Sequence, residues 1–261
     1  MLKNDEWEQI NEMVASLYGM RNLEAMRKAF LTRLMSLVEF DLADFNLSGE
    51  GEQKDGWLKD PVAVSIFDPG VETSFMKLYE TKFYRMDYIS WIFAHHKSIV
   101  YRESDIIDRA VRRESRFYKE YLAQYDLGSV AGISIISAGR LVGAVTLYKS
   151  ESKGDFSDRD LYILKMFLPH LQNVLESRQG EAEREQEEVR RILKYRYGIT
   201  EKEQEVMALI LAGCSNREIA SKKQISENTV KNHISGIFGK IGVKSRTQLL
   251  SFLIRNHLLV S

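Results

Sequence analysis

Apolar residues recur at helical spacing at both ends of the chain and at every second position through much of its middle. Near the N-terminus, Ile10, Met13, Val14 and Leu17 form one stripe and Met26, Phe30, Leu34, Leu37 and Val38 another, which predicts helices over about 5–19 and 22–40. The pattern then changes to alternation. Residues 41–47 read as a half-buried strand, 48–56 as a charged, glycine-rich turn region, and 62–67 as a second strand ended by Asp68-Pro69-Gly70; together they form a hairpin with a long connection. From 71 to 125 the chain reads as mostly helical and is rich in aromatic residues, with a short extended piece at 98–101. Alternation returns over 129–137 and 140–148, on either side of the hairpin signal Ala138-Gly139. A closing helix begins near Ser157, with Leu161, Leu164, Phe167, Leu168, Leu171, Val174 and Leu175 as its stripe and Pro169 expected to kink it. An antiparallel sheet covered by helices, an α+β sandwich, satisfies this order.

Residues 176–188 are almost devoid of apolar side chains and carry no sustained coiled-coil seam, so they read as a solvated linker helix. Beyond them the helix boundaries are explicit. Thr200 to Glu203 is a capping box, Gly213 a left-handed stop, and Ser215 to Glu218 and Ser245 to Gln248 repeat the box. About four residues separate the helix starting at Asn216 from the one after Ser226, the length of a helix-turn-helix connection. In that following helix Val230, Ile234, Ile237, Phe238 and Ile241 make one apolar stripe. The opposite side presents Asn228, Thr229, Asn232, Ser235, Gly236 and Gly239, with Lys231, His233 and Lys240 at its margins. This face is small, polar and basic, and the helix is the one placed to enter a major groove. His233 borders the stripe and reads as a packing or phosphate-side residue.

Charge sharpens the division. The formal net charge is zero, yet residues 196–261 hold ten Lys/Arg against five Asp/Glu, leaving an acidic remainder. A basic head on an acidic body fits DNA binding by one module. Cys214 is the only cysteine, which excludes an intrachain disulfide and a cysteine-based zinc site. No apolar run is long enough to span a membrane and the N-terminus lacks a signal-peptide pattern, so the expected location is the cytoplasm. No phosphate loop, nucleophile elbow or metal-ligand spacing occurs, and His95-His96 would diverge on a helix. No catalytic residue, metal site or cofactor is expected, and the chain reads as a non-enzyme. It also lacks the acidic pair and α/β alternation of a phosphoacceptor receiver domain.

Thr200-x-x-Glu203-x-x-Val206, Gly213-x-Ser215-Asn216-Arg217-Glu218-Ile219-Ala220, Ser226-x-x-Thr229-Val230-Lys231-x-His233-Ile234 and Lys240-x-Gly242-Val243-x-Ser245-Arg246 resemble the LuxR-type, NarL/FixJ-like DNA-binding domain. The resemblance implies a four-helix head that touches operator DNA through Thr229, Lys231 and Lys240, with Lys231 nearest the base edges and Lys240 on phosphate, and Ser226, Asn228, Asn232 and Ser235 complete the expected contact set. It also implies a homodimer on a two-fold operator in double-stranded DNA, with RNA polymerase as a further partner that the class allows. At Gly236 and Gly239 many members carry longer polar or basic side chains.

The segment Gly154 to Leu161, with Leu168-Pro169-His170-Leu171, resembles the end of GAF-like sensor domains fused to such heads, and Leu141 to Leu147 is similar to the strand that precedes it. This second resemblance implies a regulatory pocket between the sheet and the 71–125 excursion, without naming a ligand. Tyr84, Tyr88 and Trp91 fall at i, i+4 and i+7, and Tyr101, Phe117, Tyr118 and Tyr121 complete an aromatic set that fits either a core or a pocket for a flat or apolar small molecule. The Trp, Tyr and Asp pattern of the homoserine-lactone-binding group is met only loosely, by Tyr84, Asp87 and Trp91.

The expected architecture is a GAF-like sandwich over 1–178, a linker helix over 179–196 and a helix-turn-helix head over 197–261. The expected function is sequence-specific transcription regulation under a small-molecule signal. The alternative is the same head on a ligand-free dimerisation or docking module.

Overall fold

The computed structural model describes residues 2–48, 58–68 and 70–259, so the turn region expected between the first two strands lies, apart from Ser48, outside the described residues. The chain divides into two compact units, Met1–Ser177 and Arg178–Ser261.

The first unit is built on one sheet of β1 (Leu42–Ser48), β2 (Leu58–Ser65), β3 (Ile99–Arg102), β4 (Leu127–Ser137) and β5 (Arg140–Ser150), in the order β2-β1-β5-β4-β3. Every neighbouring pair is antiparallel. The β4–β5 hairpin turns at Ala138 and Gly139, with φ of 48° and 75°. Two successive left-handed residues are the signature of a type I′ turn, whose twist matches the strands it joins.

Period-two alternation gives the sheet two different faces. Ala43, Phe45, Ala131, Ile133, Ile135, Val145 and Leu147 point to one side. There they meet α1 (Asn4–Gly19), α2 (Leu23–Leu34) and the first part of α6 (Asp158–Tyr197). The other face carries Leu42, Val130, Tyr101 and Tyr148 into a second core under the excursion, which includes α3 (Val71–Thr81), α4 (Arg109–Glu114) and α5 (Arg116–Glu120). Both faces are therefore covered, which makes the unit an α+β sandwich.

The sequence separates a closing helix from a linker helix. The chain forms one helix instead, 40 residues long and continuous through Pro169, so the linker is the second half of α6. Among the described residues no helix is long and apolar enough to cross a membrane.

The second unit holds α7 (Glu201–Leu211), α8 (Asn216–Lys223), α9 (Glu227–Ile241) and α10 (Arg246–Arg255) around Val206, Ile210, Ile219, Val230, Ile237, Leu249 and Leu253. Its helix ends follow local chemistry. Thr200 and Ser215 form complete capping boxes with Glu203 and Glu218. Gly213 stops α7 at φ +78°, with Cys214 N donating to Leu209 O and Gly213 N to Ile210 O, the two bonds of a Schellman motif. At Ser245 the third box is shifted: Ser245 caps Gln248 N, but the Gln248 side chain accepts from Lys244 N, one residue earlier than expected.

Candidate nucleic-acid interface and sensor cavity

Only Gln224, Ile225 and Ser226 separate α8 from α9. Gln224 takes the left-handed conformation that ends α8, and Ser226 Oγ caps α9 by accepting from Thr229 N at 3.0 Å. Ser226 and Thr229 also share a hydroxyl hydrogen bond of 2.8 Å, which fixes Thr229 on the first turn. With Val230, Ile237 and Ile241 buried, Asn228, Thr229, Lys231, Asn232, Ser235 and Lys240 are all exposed. They share the polar face that the sequence places opposite the apolar stripe. Glu227, in the first turn, is the only carboxylate within α9.

Lys231 enters no ion pair among the described residues, so its charge is available to a ligand. Lys240 differs: its Nζ lies 2.6 Å from Glu203 Oε2, the oxygen that also accepts from Thr200 N and Oγ1. Burial works against ionisation of Glu203, but Lys240 and Thr200 together hold its carboxyl below the ordinary value. Gly236 faces the same group, since a Cβ there would come within 3.0 Å of Glu203 Oε1, whereas a Cβ on Gly239 would meet nothing. Sequence reasoning missed this Glu203–Lys240 link and a second one. Arg246 donates from Nη1 to Cys214 O and from Nη2 to Asn216 Oδ1 at 2.7 Å, tying the start of α10 to the start of α8. Its place in the motif marked Arg246 without revealing that role. On the outer side of α10, Leu250 and Ile254 are exposed at 42% and 57%.

In the first unit, Asp44 of β1, Thr146 and Tyr148 of β5 and Tyr101 of β3 converge on a cavity closed from above by Tyr79, Asp87 and Phe117. Its free space is about 20 Å³, the scale of a single water molecule. Gly132 lets the Tyr101 ring lie across the sheet, because a Cβ there would stand 2.8 Å from Tyr101 Oη and 2.4 Å from Val145 O.

The cavity is acidic. Asp87 accepts from Tyr79 Oη at 2.8 Å and from Ile89 N at 3.0 Å. Glu103 accepts from Tyr88 Oη and is paired with buried Arg112, 2.6 Å from its Nε. Asp44 Oδ1 accepts from Asn46 Nδ2, but Asp44 Oδ2 is buried with no hydrogen-bond partner. Burial pushes Asp44 up to about 7, against the pull of Tyr148, Asn46 and Thr146, and pushes Asp87 up to about 6, against Tyr79 and Ile89. It raises Glu103 as well, despite Arg112.

The aromatic set does not assemble as its spacing suggests. Tyr101 and Phe117 line the cavity. Tyr88 sits behind it, edge-on to Phe117 and bonded to Glu103. Tyr121 is core: it stacks on Phe75 and Phe83 and donates to Phe75 O at 3.0 Å. Tyr118 turns outward to Glu151 Oε1 at 2.8 Å, Tyr84 accepts from Arg85 Nε at 2.7 Å, and Trp91 is 50% exposed. The correction has a simple cause. The i, i+4, i+7 argument assumes one α-helix, but the chain here forms separate 3-10 turns, Phe83–Arg85 and Ser90–Ala94, so the three side chains share no face. His95 and His96 are exposed, and among the described residues no group of three His, Cys, Asp or Glu could hold a metal ion.

The GAF domain family matches residues 23–175, and the family of bacterial regulatory proteins described as luxR matches residues 198–253. Transcriptional regulatory protein LnrK of Bacillus subtilis is 47% identical over 50 residues, 19% of this chain and 23% of the relative. Response regulator protein VraR of Staphylococcus aureus is 41% identical over 54 residues, 21% of this chain and 26% of its own length. The chain thus spans about a quarter of these relatives. Among solved structures, Escherichia coli SdiA covers 98% of this chain and 99% of its own at 14% identity and a TM-score of 0.46. The VqsR LBD domain from Pseudomonas aeruginosa covers 68% and 98%, at 12% identity and a TM-score of 0.48.

Proposed function

The chain belongs to the GAF domain family and carries a LuxR-family regulatory domain at its C-terminal end, and we propose that it is a sequence-specific DNA-binding transcription regulator whose head answers to a small-molecule signal in the GAF domain. The observation that carries the reading is the exposed face of α9: Asn228, Thr229, Lys231, Asn232 and Ser235, held by a three-residue connection on the helix before it. Lys231 is the base-edge reader, Ser226 positions Thr229, and Lys240 reaches phosphate after exchanging its Glu203 contact. Phosphate contacts supply salt-dependent affinity and the base edges supply sequence preference. Leu250 and Ile254 of α10 form the two-fold contact of a homodimer, setting two heads on half-sites about one helical turn apart.

The signal half of the proposal rests on the buried, incompletely bonded acidic cavity. A ligand that binds one arrangement of the domain more tightly shifts the population toward it, and α6 passes from the sensor unit into the head unit. The small size of the cavity favours the competing reading, a docking module that takes no ligand. The unpartnered oxygen of Asp44 favours the signal reading, because burying such an atom costs about 1–3 kcal/mol unless something completes it.

Selection from a random duplex pool, followed by gel-shift titration of the recovered sequence, tests the DNA half. Lys231→Ala is expected to weaken binding by about 1–3 kcal/mol and to relax sequence preference. Recovery of no preferred sequence, or unchanged affinity and preference in the variant, overturns the assignment. No melting shift with any member of a metabolite panel counts for the docking module.

A further inference from the structure

Two carboxylates in the sensor cavity differ from the third. Glu103 has Arg112 beside it, but among the described residues none that lines the cavity is basic, so no described cation offsets Asp44 and Asp87. Asp87 spends both oxygens on Tyr79 Oη and Ile89 N. Asp44 spends one on Asn46 and leaves Oδ2, fully buried, without a donor. A proton on Oδ2 can be shared with the neighbouring Thr146 or Tyr148 hydroxyl in the free domain, but it brings no positive charge to the pair. A donor that also carries positive charge completes both the bonding and the charge. The walls agree, since Tyr101, Tyr148 and Phe117 line the cavity and aromatic rings attract a cation.

From this we infer that the GAF domain binds a small primary amine in its ammonium form, with Asp44 as the principal anchor and Asp87 as the second carboxylate facing the charge. This deepens the signal half of the proposed function and rests on it. The free space decides the head group: about 20 Å³ accommodates an ammonium, which is the size of water, but not a quaternary ammonium. Apolar Leu58, Met76, Ile89 and Phe93 line the remaining wall and are the side chains that yield to the tail. The three N–H groups of the ammonium can reach Asp44 Oδ2, a tyrosine hydroxyl and a second oxygen of the cluster.

The test uses the full chain, with thermal melting and isothermal titration. Its probes are n-propylamine, isopentylamine and phenethylamine, the matched alcohols and carboxylic acids, tetramethylammonium chloride and magnesium chloride. The expected result is binding and a raised melting temperature with the primary amines alone, and loss of at least about tenfold in affinity in Asp44→Asn, which removes a charged hydrogen bond. Should that variant fail to fold, the amine-against-alcohol contrast in the native chain decides. Equal effects from alcohols, acids, tetramethylammonium or magnesium overturn the ammonium assignment while the signal reading stands. No effect from any probe at millimolar concentration overturns the ammonium assignment and counts against the signal reading too.

Discussion

Lys240, near the end of α9, and Glu203, in the first turn of α7, meet at 2.6 Å through the same carboxylate oxygen that closes the Thr200 capping box. One acidic side chain thus orders a helix start and holds the far end of the helix expected to lie on DNA. Lys240 and Lys231 therefore differ in a measurable way. Lys240→Ala should lower the stability of the head by roughly 1 kcal/mol, whereas Lys231→Ala should stay within about 0.5 kcal/mol, since no partner depends on it. Chemical denaturation of the two variants checks this. In DNA titrations over a range of salt, Lys240→Ala should flatten the slope by less than the roughly 0.9 expected for a free lysine on phosphate, because Glu203 already neutralises part of its charge.

Gly236 and Gly239 lie on the same helix and have opposite neighbours. A side chain at Gly239 enters open space, so Gly239→Ala should raise stability by about 0.5–1 kcal/mol through helix propensity alone. At Gly236 the same methyl group presses on Glu203 Oε1 at 3.0 Å and disturbs the carboxylate that serves both Thr200 and Lys240. Gly236→Ala should therefore gain less than Gly239→Ala, or lose stability. Equal gains in parallel melting curves would show that the Glu203 contact carries no weight.

These contrasts mark what local pattern could and could not disclose. Thr200, Ser215, Ser226 and Gly213 act on backbone groups within a few residues, so the helix ends of the head were legible before any fold was known. Alternation likewise placed Phe45 and Asp44 on opposite faces of β1. Nothing in the alternation said that the Asp44 face is covered too, because the cover comes from residues 71–125, far along the chain. The Lys240–Glu203 and Arg246–Asn216 contacts are long-range in the same sense. The 3-10 turns over 83–94 escape the pattern for a different reason. Tyr84, Tyr88 and Trp91 at i, i+4 and i+7 carry no signal that separates an α-helix from two short turns.

Ala138 holds φ at 48° in the β4–β5 turn, a conformation that asparagine and glycine adopt with less strain than alanine. Ala138→Asn should stabilise the first unit by about 0.5–1 kcal/mol, a shift visible in its melting temperature. A neutral or destabilising result would mean that the turn has another preferred geometry in solution.

Asp44 and Asp87 also set a pH dependence whose sign is opposite to the common one for carboxylates. Burial raises them to about 7 and about 6 in the folded domain, whereas an aspartate in the unfolded chain titrates near 3.9. Between about pH 4 and pH 7 the folded state binds more protons than the unfolded state, so stability falls as pH rises through that interval. Asp41 and Glu203 act in the reverse sense. Hydrogen bonds and lysine partners hold them below their ordinary values, and the stability they add is lost only as pH falls through those low values. A comparison of about pH 5 with about pH 7.5 therefore separates the buried cavity carboxylates, Asp44 and Asp87 with Glu103 raised in the same sense, from Asp41 and Glu203. The melting temperature of the first unit should drop across that interval, and Asp44→Asn, which cannot ionise, should remove most of the drop while raising stability at the upper pH. A melting temperature that climbs with pH in the native chain, or a drop that persists unchanged in Asp44→Asn, would show that Asp44 is not held protonated in the free domain.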